Sequence, residues 1–187
     1  TVRNRVLSDV QYERQQNDKL KANHLHPAIS KIQKRHKERT AVKSVDQYGI
    51  PNSSTEVSII IPLYRRIDFL EQQLSQFVHD REIREADLIY VLDSPELADG
   101  LRHFAAQLSA LYQVPFRIVT LERNAGYSIA NNVGASFAYG RLLLLLNSDI
   151  LPSESGWLKS MTAFYDSVPR IGALGAKECT EGYRRQM

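Results

Sequence analysis

The feature that most constrains this chain is an alternation, from residue 57 onward, of short aliphatic runs with apolar stripes at helical spacing. "VSIIIP" (57–62), "DLIYVLD" (87–93), "FRIVTL" (116–121) and "RLLLLL" (141–146) are too short for helices and dominated by aliphatic residues. Runs of this kind belong to strands covered on both faces. Between and after them, Ile67, Leu70, Leu74 and Phe77 recur every three or four residues, as do Leu97, Leu101, Phe104, Leu108 and Leu111. Trp157, Met161, Phe164 and Val168 repeat the pattern, and "GYSIANNVGASFAYG" (126–140) adds a helix rich in small residues. Strand and helix in turn predict an α/β fold: a mostly parallel sheet flanked by helices, joined by right-handed crossovers. "IGALGA" (171–176) is expected as a last, weak strand. Local signs agree. Asp68 and Glu71 make a capping-box-like start, Ser94-Pro95 an N-cap with proline in the first helical position, and Ser153 a cap for the Trp157 helix. Gly134 and Gly140 are read as points of close helix–sheet packing.

This order decides where chemistry can gather. In open parallel sheets, ligands bind beyond the carboxyl ends of the strands. The residues there are Pro62-Leu63-Tyr64-Arg65, Asp93-Ser94, Glu122-Arg123-Asn124-Ala125-Gly126 and Asn147-Ser148-Asp149. An acidic residue after each of two apolar strands suits a hard divalent cation, because Mg²⁺ takes one or two protein carboxylates and completes its shell with water and phosphate. A stiff, dry leucine strand is expected to hold the Asp149 carboxylate and to lower the dielectric around it. Other chemistries are disfavoured. The sequence has no G-x-x-x-x-G-K-[ST] loop, no G-x-G-x-x-G after the first strand, no G-x-S-x-G, no C-x-x-C and no His-x-x-x-His. His79 and His103 are expected to be exposed on helices, and Trp157 to pack in the core.

The net charge of +3 hides an asymmetry: residues 1–44 carry +7, the remainder −4. Residues 1–44 read as a basic, mainly helical extension and 45–56, with "GIPNSS", as a linker to an α/β domain over 57–187. The cluster "KIQKRHKER" (31–39) would attract polyanions, so peripheral contact with a membrane surface is one expected partner. Single-stranded nucleic acid is disfavoured, since Tyr12 is the only aromatic residue in this region. His24 and His26 are read as surface residues. No apolar run spans a bilayer, no signal-peptide pattern opens the chain, and the single Cys179 suits a reducing compartment, so the cytoplasm is expected. A chain that opens on Thr1 and stops at Met187 just after an apolar segment is expected to be a piece of a longer protein.

"VSIIIPLYRR", "YVLDS", "ERNAGYSIANNVGASFAYG", "LLLLLNSDILP" and "GWL" together resemble, in order and spacing, the family 2 glycosyltransferases of GT-A fold, over roughly residues 57–176. The bacterial branch that builds surface polysaccharides is the most similar in pattern. The resemblance implies a nucleotide-diphosphate sugar as donor and a glycan or lipid-linked acceptor. Pro62, Tyr64 and Arg65 would border the base, and Asp93 would contact base or ribose. Arg123, Asn124 and Gly126 lie at the family's N-x-G turn, with Asn132 on the helix after it. Asn147-Ser148-Asp149 stands where the family has D-x-D, so Asp149 would ligate Mg²⁺ or Mn²⁺ on the diphosphate. The implied reaction is inverting transfer. Two departures stand out: Asn147 replaces the first aspartate, and Leu92 stands where many members carry a second acid. The catalytic base of the family would fall downstream of Met187, with Glu178 and Glu181 too close to the last strand. The chain alone is therefore expected to transfer little. A sugar-phosphate nucleotidyltransferase, and a non-catalytic module working through its basic N-terminal helix, are the alternatives.

Overall fold

The computed structural model describes residues 15–39, 41–152 and 154–176; Tyr12, Ser153, Glu178, Cys179 and Glu181 fall outside them. A helical segment comes first, a π-helical turn at Lys21–Leu25 leading into α1 (His26–Arg39). Leu25, Ile29 and Ile32 lie at helical spacing along it and are each at least 40% exposed. His24 and His26 are exposed as well. Among the described residues no helix is long and apolar enough to cross a membrane.

The α/β unit runs β1 (Val42–Tyr48), β2 (Val57–Leu63), α2 (Phe69–Phe77), α3 (Arg81–Glu85), β3 (Asp87–Leu92), α4 (Ala98–Tyr112), β4 (Phe116–Leu121), α5 (Tyr127–Ser136), β5 (Leu142–Leu145) and α6 (Trp157–Ser167). The described strands form one sheet in the order β1-β4-β3-β2-β5. β5, β2, β3 and β4 are mutually parallel, and β1 pairs antiparallel with β4. The expected fold class holds.

The aliphatic runs are explained by burial on two sides. Ile59, Ile61, Leu63, Leu88, Tyr90 and Leu92 face one core with Leu70, Leu74, Phe77, Leu101 and Leu108. Ile60, Ile89, Val91, Val119 and Leu121 face a second, smaller core capped by α5 through Ala130. Leu92, where many relatives in pattern carry an acid, is wholly committed to the larger core. Gly134 allows α5 to lie flat: an added Cβ would meet Ile60 Cγ2 at 2.5 Å. Trp157 packs against the larger core, and His79 and His103 are exposed, as expected.

Several local expectations change. Residues 45–56 are not a linker throughout, because Val45–Tyr48 complete strand β1 on the edge of the sheet. Tyr48 stacks on Phe116 with ring centroids 4.8 Å apart and donates its hydroxyl to Arg102 O, which ties that strand to α4. Residues 171–176 form no strand. The leucine strand is not dry: among the described strands β5 lies at the edge of the sheet, and Leu143 and Leu145 are 51% and 53% exposed. Asp68 and Ser94 stand at N-cap positions, with Pro95 opening the short 3-10 turn Pro95–Leu97 as expected, but neither side chain makes a capping bond. Asp68 takes the Arg66 guanidinium instead of a backbone amide, and Ser94 Oγ accepts from Arg65 N across the sheet edge.

Candidate functional site

At the carboxyl ends of β2, β3 and β5 lies a cleft of about 480 Å³ lined by Pro62, Tyr64, Arg66, Phe69, Asp93, Asn124, Gly126, Tyr127, Asn147, Ser148 and Asp149. That volume is within the ordinary range for a small-molecule site. A second concavity, about 220 Å³, lies near Asn52 and Glu56 at the opposite end of the strands. The topology accounts for the cleft. β2 and β3 end in register, Leu63 opposite Leu92, so the turns after them emerge side by side.

The first wall is the turn after β2. Arg65 has a left-handed φ of 61°, and Arg66 N reaches back to Tyr64 O at 2.7 Å. Non-glycine residues in this region carry strain, which such walls commonly store. The turn leaves the Tyr64 ring half exposed, with the Arg65 guanidinium carbon 4.8 Å from its centroid. Arg65 itself does not line the cleft. Arg66 does; its guanidinium lies 4.5 Å over the Phe69 ring and pairs with Asp68. That hydrogen-bonded pair raises the Arg66 pKa and holds the Asp68 carboxyl below its usual range.

Asp93 forms the second wall and is 3% exposed. Its carboxylate is already engaged. Oδ1 accepts from Ala125 N at 2.6 Å, and Oδ2 from Gly126 N at 2.9 Å and the Asn124 side-chain amide at 3.2 Å. Asn124 also donates to Asp93 O. The N-x-G turn is thus folded onto the end of β3, and Gly126, with φ of 87°, is the residue type that tolerates its conformation. Arg123 is exposed and does not line the cleft.

The third wall is the segment after β5. Leu146 N bonds to Ile60 O, and from there Asn147 to Ile150 close a turn, with Ile150 N donating to Asn147 O at 3.2 Å. Asn147 Oδ1 accepts the Tyr127 hydroxyl at 3.0 Å. Asp149 is exposed in the cleft. The described residues hold no cluster of three or more metal-ligating side chains. A donor set with one uncommitted carboxylate, bordered by amides and hydroxyls, nevertheless fits a hard cation whose other ligands are water and phosphate.

The cleft therefore brings together Pro62, Tyr64, Asp93, Asn124, Gly126, Asn147, Ser148 and Asp149, and leaves out Arg65, Arg123 and Asn132. Asn132 is exposed; its neighbour Asn131 is the buried one, donating to Tyr127 O at 2.9 Å. Arg66, Phe69 and Tyr127 are lining residues that sequence reading passed over. For Arg66 and Phe69 the available signal was their place just after a strand end; for Tyr127 it was the helix start after Gly126.

A mannosyltransferase, PcManGT from Pyrobaculum calidifontis, solved with GDP-Man and Mn²⁺, aligns over 74% of this chain and 39% of its own at 16% identity and a TM-score of 0.49. S. aureus TarS 1–349, solved with UDP-GlcNAc, aligns over 60% of this chain and 32% of its own at 21% identity and a TM-score of 0.47. The chain thus spans well under half the length of these structures. No curated protein matches the sequence. The model of "Glycosyl transferase family 2" matches residues 58–186, more than half of the chain, and the chain belongs to that family.

Proposed function

We propose that this chain forms the donor-binding half of a glycosyltransferase that takes a nucleotide-diphosphate sugar with Mg²⁺ or Mn²⁺, for inverting transfer to a glycan or lipid-linked acceptor. The observation that carries the reading is the position of Asp149, exposed on the same cleft as Tyr64 and the anchored Asn124–Gly126 turn. The half-exposed Tyr64 ring offers a stacking surface for a base, and Pro62 beside it stiffens that wall. Asp93 shapes the site by fixing the turn, and its remaining lone pairs can accept from a ribose hydroxyl. Arg66 supplies positive charge at the rim. Asp149 would hold the cation, with Ser148 beside it, while Asn147 is already committed to Tyr127. When bound, the cation would offset charge on the departing diphosphate. The catalytic base is assigned to residues beyond Met187, and the basic N-terminal segment to peripheral contact with the cytoplasmic face of a membrane.

Calorimetry with UDP and GDP, with and without Mn²⁺, tests the reading. Affinity is expected to rise with the metal, and Asp149→Ala to remove most of that increment while changing stability by no more than about 0.5 kcal/mol. Equal affinity with and without metal in the wild type would count against it. Pyrophosphate release from a nucleoside triphosphate and a sugar phosphate would instead favour a nucleotidyltransferase.

A further inference from the structure

The segment bearing Asp149 receives little support from its own strand. β5 has one neighbour among the described strands, two of its four leucines are more than half exposed, and its last ladder pair is Ile60 with Leu145. Beyond Leu146 the turn has no strand beside it among the described residues to set its height over the cleft. Tyr127 on α5 bonds the Asn147 side chain and Ile150 packs on the larger core, but the grip on the turn's backbone comes from α2. Gln73 is fully buried, and its amide nitrogen donates to both Asn147 O and Ile150 O at 3.1 Å. These are the two ends of the turn that carries Asp149. One helical turn along, Gln76 donates to Pro152 O.

A glutamine here is costly. Gln73 lies next to Leu74 on the core-facing side of α2, near Leu70 and Phe77, and its Oε1 has no hydrogen-bond partner among the described residues. A buried, half-satisfied amide is less favourable than an aliphatic side chain of the same volume. Packing alone would favour leucine or methionine. The amide's return is the two-point grip on the turn.

We propose that Gln73 is a positioning residue for the cation–diphosphate site: through the carbonyls of Asn147 and Ile150 it sets where the Asp149 carboxylate stands in the cleft. The proposal rests on the donor-binding reading above. Groups that orient a metal ligand from behind commonly govern its affinity as strongly as a neighbouring ligand does.

The test uses the whole chain carrying Gln73→Met, which retains length and volume but donates nothing. Amide hydrogen exchange without metal is expected to speed up across 147–151 and to stay unchanged in β2 and β3. In calorimetry with UDP and GDP, the Mn²⁺-dependent increment in affinity should fall by about 10- to 100-fold. The metal-free affinity should stay within about twofold. In an Asp149→Ala background the same substitution should have no further effect on nucleotide affinity. An unchanged metal increment, an equal loss with and without metal, or an undiminished loss in the Asp149→Ala background overturns the proposal. Gln73→Asn, which has the amide but not the reach, is read in parallel; loss of cooperative unfolding in both variants assigns Gln73 to folding alone and also overturns it. A wild-type chain with no metal increment overturns the donor-binding reading and this proposal together, whereas an increment indifferent to Gln73 sinks only the latter.

Discussion

The two ends of the same strands use the same kinds of residue to opposite purposes. At the amino ends, Asp87 on β3 pairs with Arg117 on β4 at 2.6 Å, and both side chains are almost wholly buried. Ser58 on β2 donates to Asp87 Oδ2 at 2.7 Å, and the backbone amides of Tyr139 and Gly140 close onto Ser58 Oγ. The same Arg117 Nη2 also donates to Phe137 O at 2.8 Å, and the Tyr139 ring lies 4.2 Å under the guanidinium carbon. At the carboxyl ends two aspartates, an arginine, a serine and two tyrosines surround an open cleft instead. The closed cluster spends its polar groups on itself, the buried Arg117 Nε excepted; the open one retains Asp149, a carboxylate with no partner among the described residues. Polar side chains at strand ends are therefore not evidence of a site. Their satisfaction is what separates scaffold from function.

Breaking the closed end should have the largest effect. Arg117→Ala leaves Asp87 buried without its cation and should cost about 3–5 kcal/mol, measured by denaturant unfolding. Asp93 belongs partly to each class, since its buried carboxylate pins the Asn124–Gly126 turn from within the cleft. Asp93→Ala should lose about 1–3 kcal/mol of stability and nucleotide binding with it, whereas Asp149→Ala should affect binding alone. Comparing the two variants by thermal unfolding and calorimetry sharpens the contrast. Tyr127→Phe removes one hydrogen bond to Asn147 at an exposed position; it should weaken metal–nucleotide binding by about 1 kcal/mol and leave the melting temperature unchanged. Asp68→Asn should do least. The Asp68 carboxyl is held below its usual range by its bond to Arg66, so whatever the pair contributes is present above the unfolded-state value and lost as pH falls through the lower folded value. The wild-type advantage over Asp68→Asn should thus be level near neutrality and vanish only in acid, as unfolding across a pH series would show.

Much of this was legible because double burial leaves a plain signature. A strand covered on both faces has no room for polar alternation, so β2, β3 and β4 stand out as aliphatic runs. β1 escaped because it is an edge whose inward positions include Ser44 and Asp46, bonded to each other at 3.0 Å, while Val45 points outward and is 44% exposed. Residues 171–176 misled in the other direction, since aliphatic residues interrupted by Gly172 and Gly175 can look like a strand without finding a neighbour. The site shows the same division. Most of the candidates attached directly to strand ends line the cleft, though Arg65 and Arg123 do not; Asn132 does not either, because one residue along a helix turns a side chain through about 100°. Asn131 took the buried place instead.

From the order of its residues alone, the chain determined a mostly parallel α/β sheet, the edge of that sheet where the cleft opens, and Asp149 as a carboxylate on that edge. These follow from local periodicity and from the chirality of crossovers, which need no knowledge of distant contacts. Tertiary structure decided which polar groups there are already spent, that the leucine strand is half exposed at the edge of the described sheet, and that Gln73 of α2 grips the turn bearing Asp149. Those outcomes depend on hydrogen-bond partners as many as 77 residues apart. Hydrogen bonds act over about 3 Å of space, and spacing along a chain does not report which groups come that close.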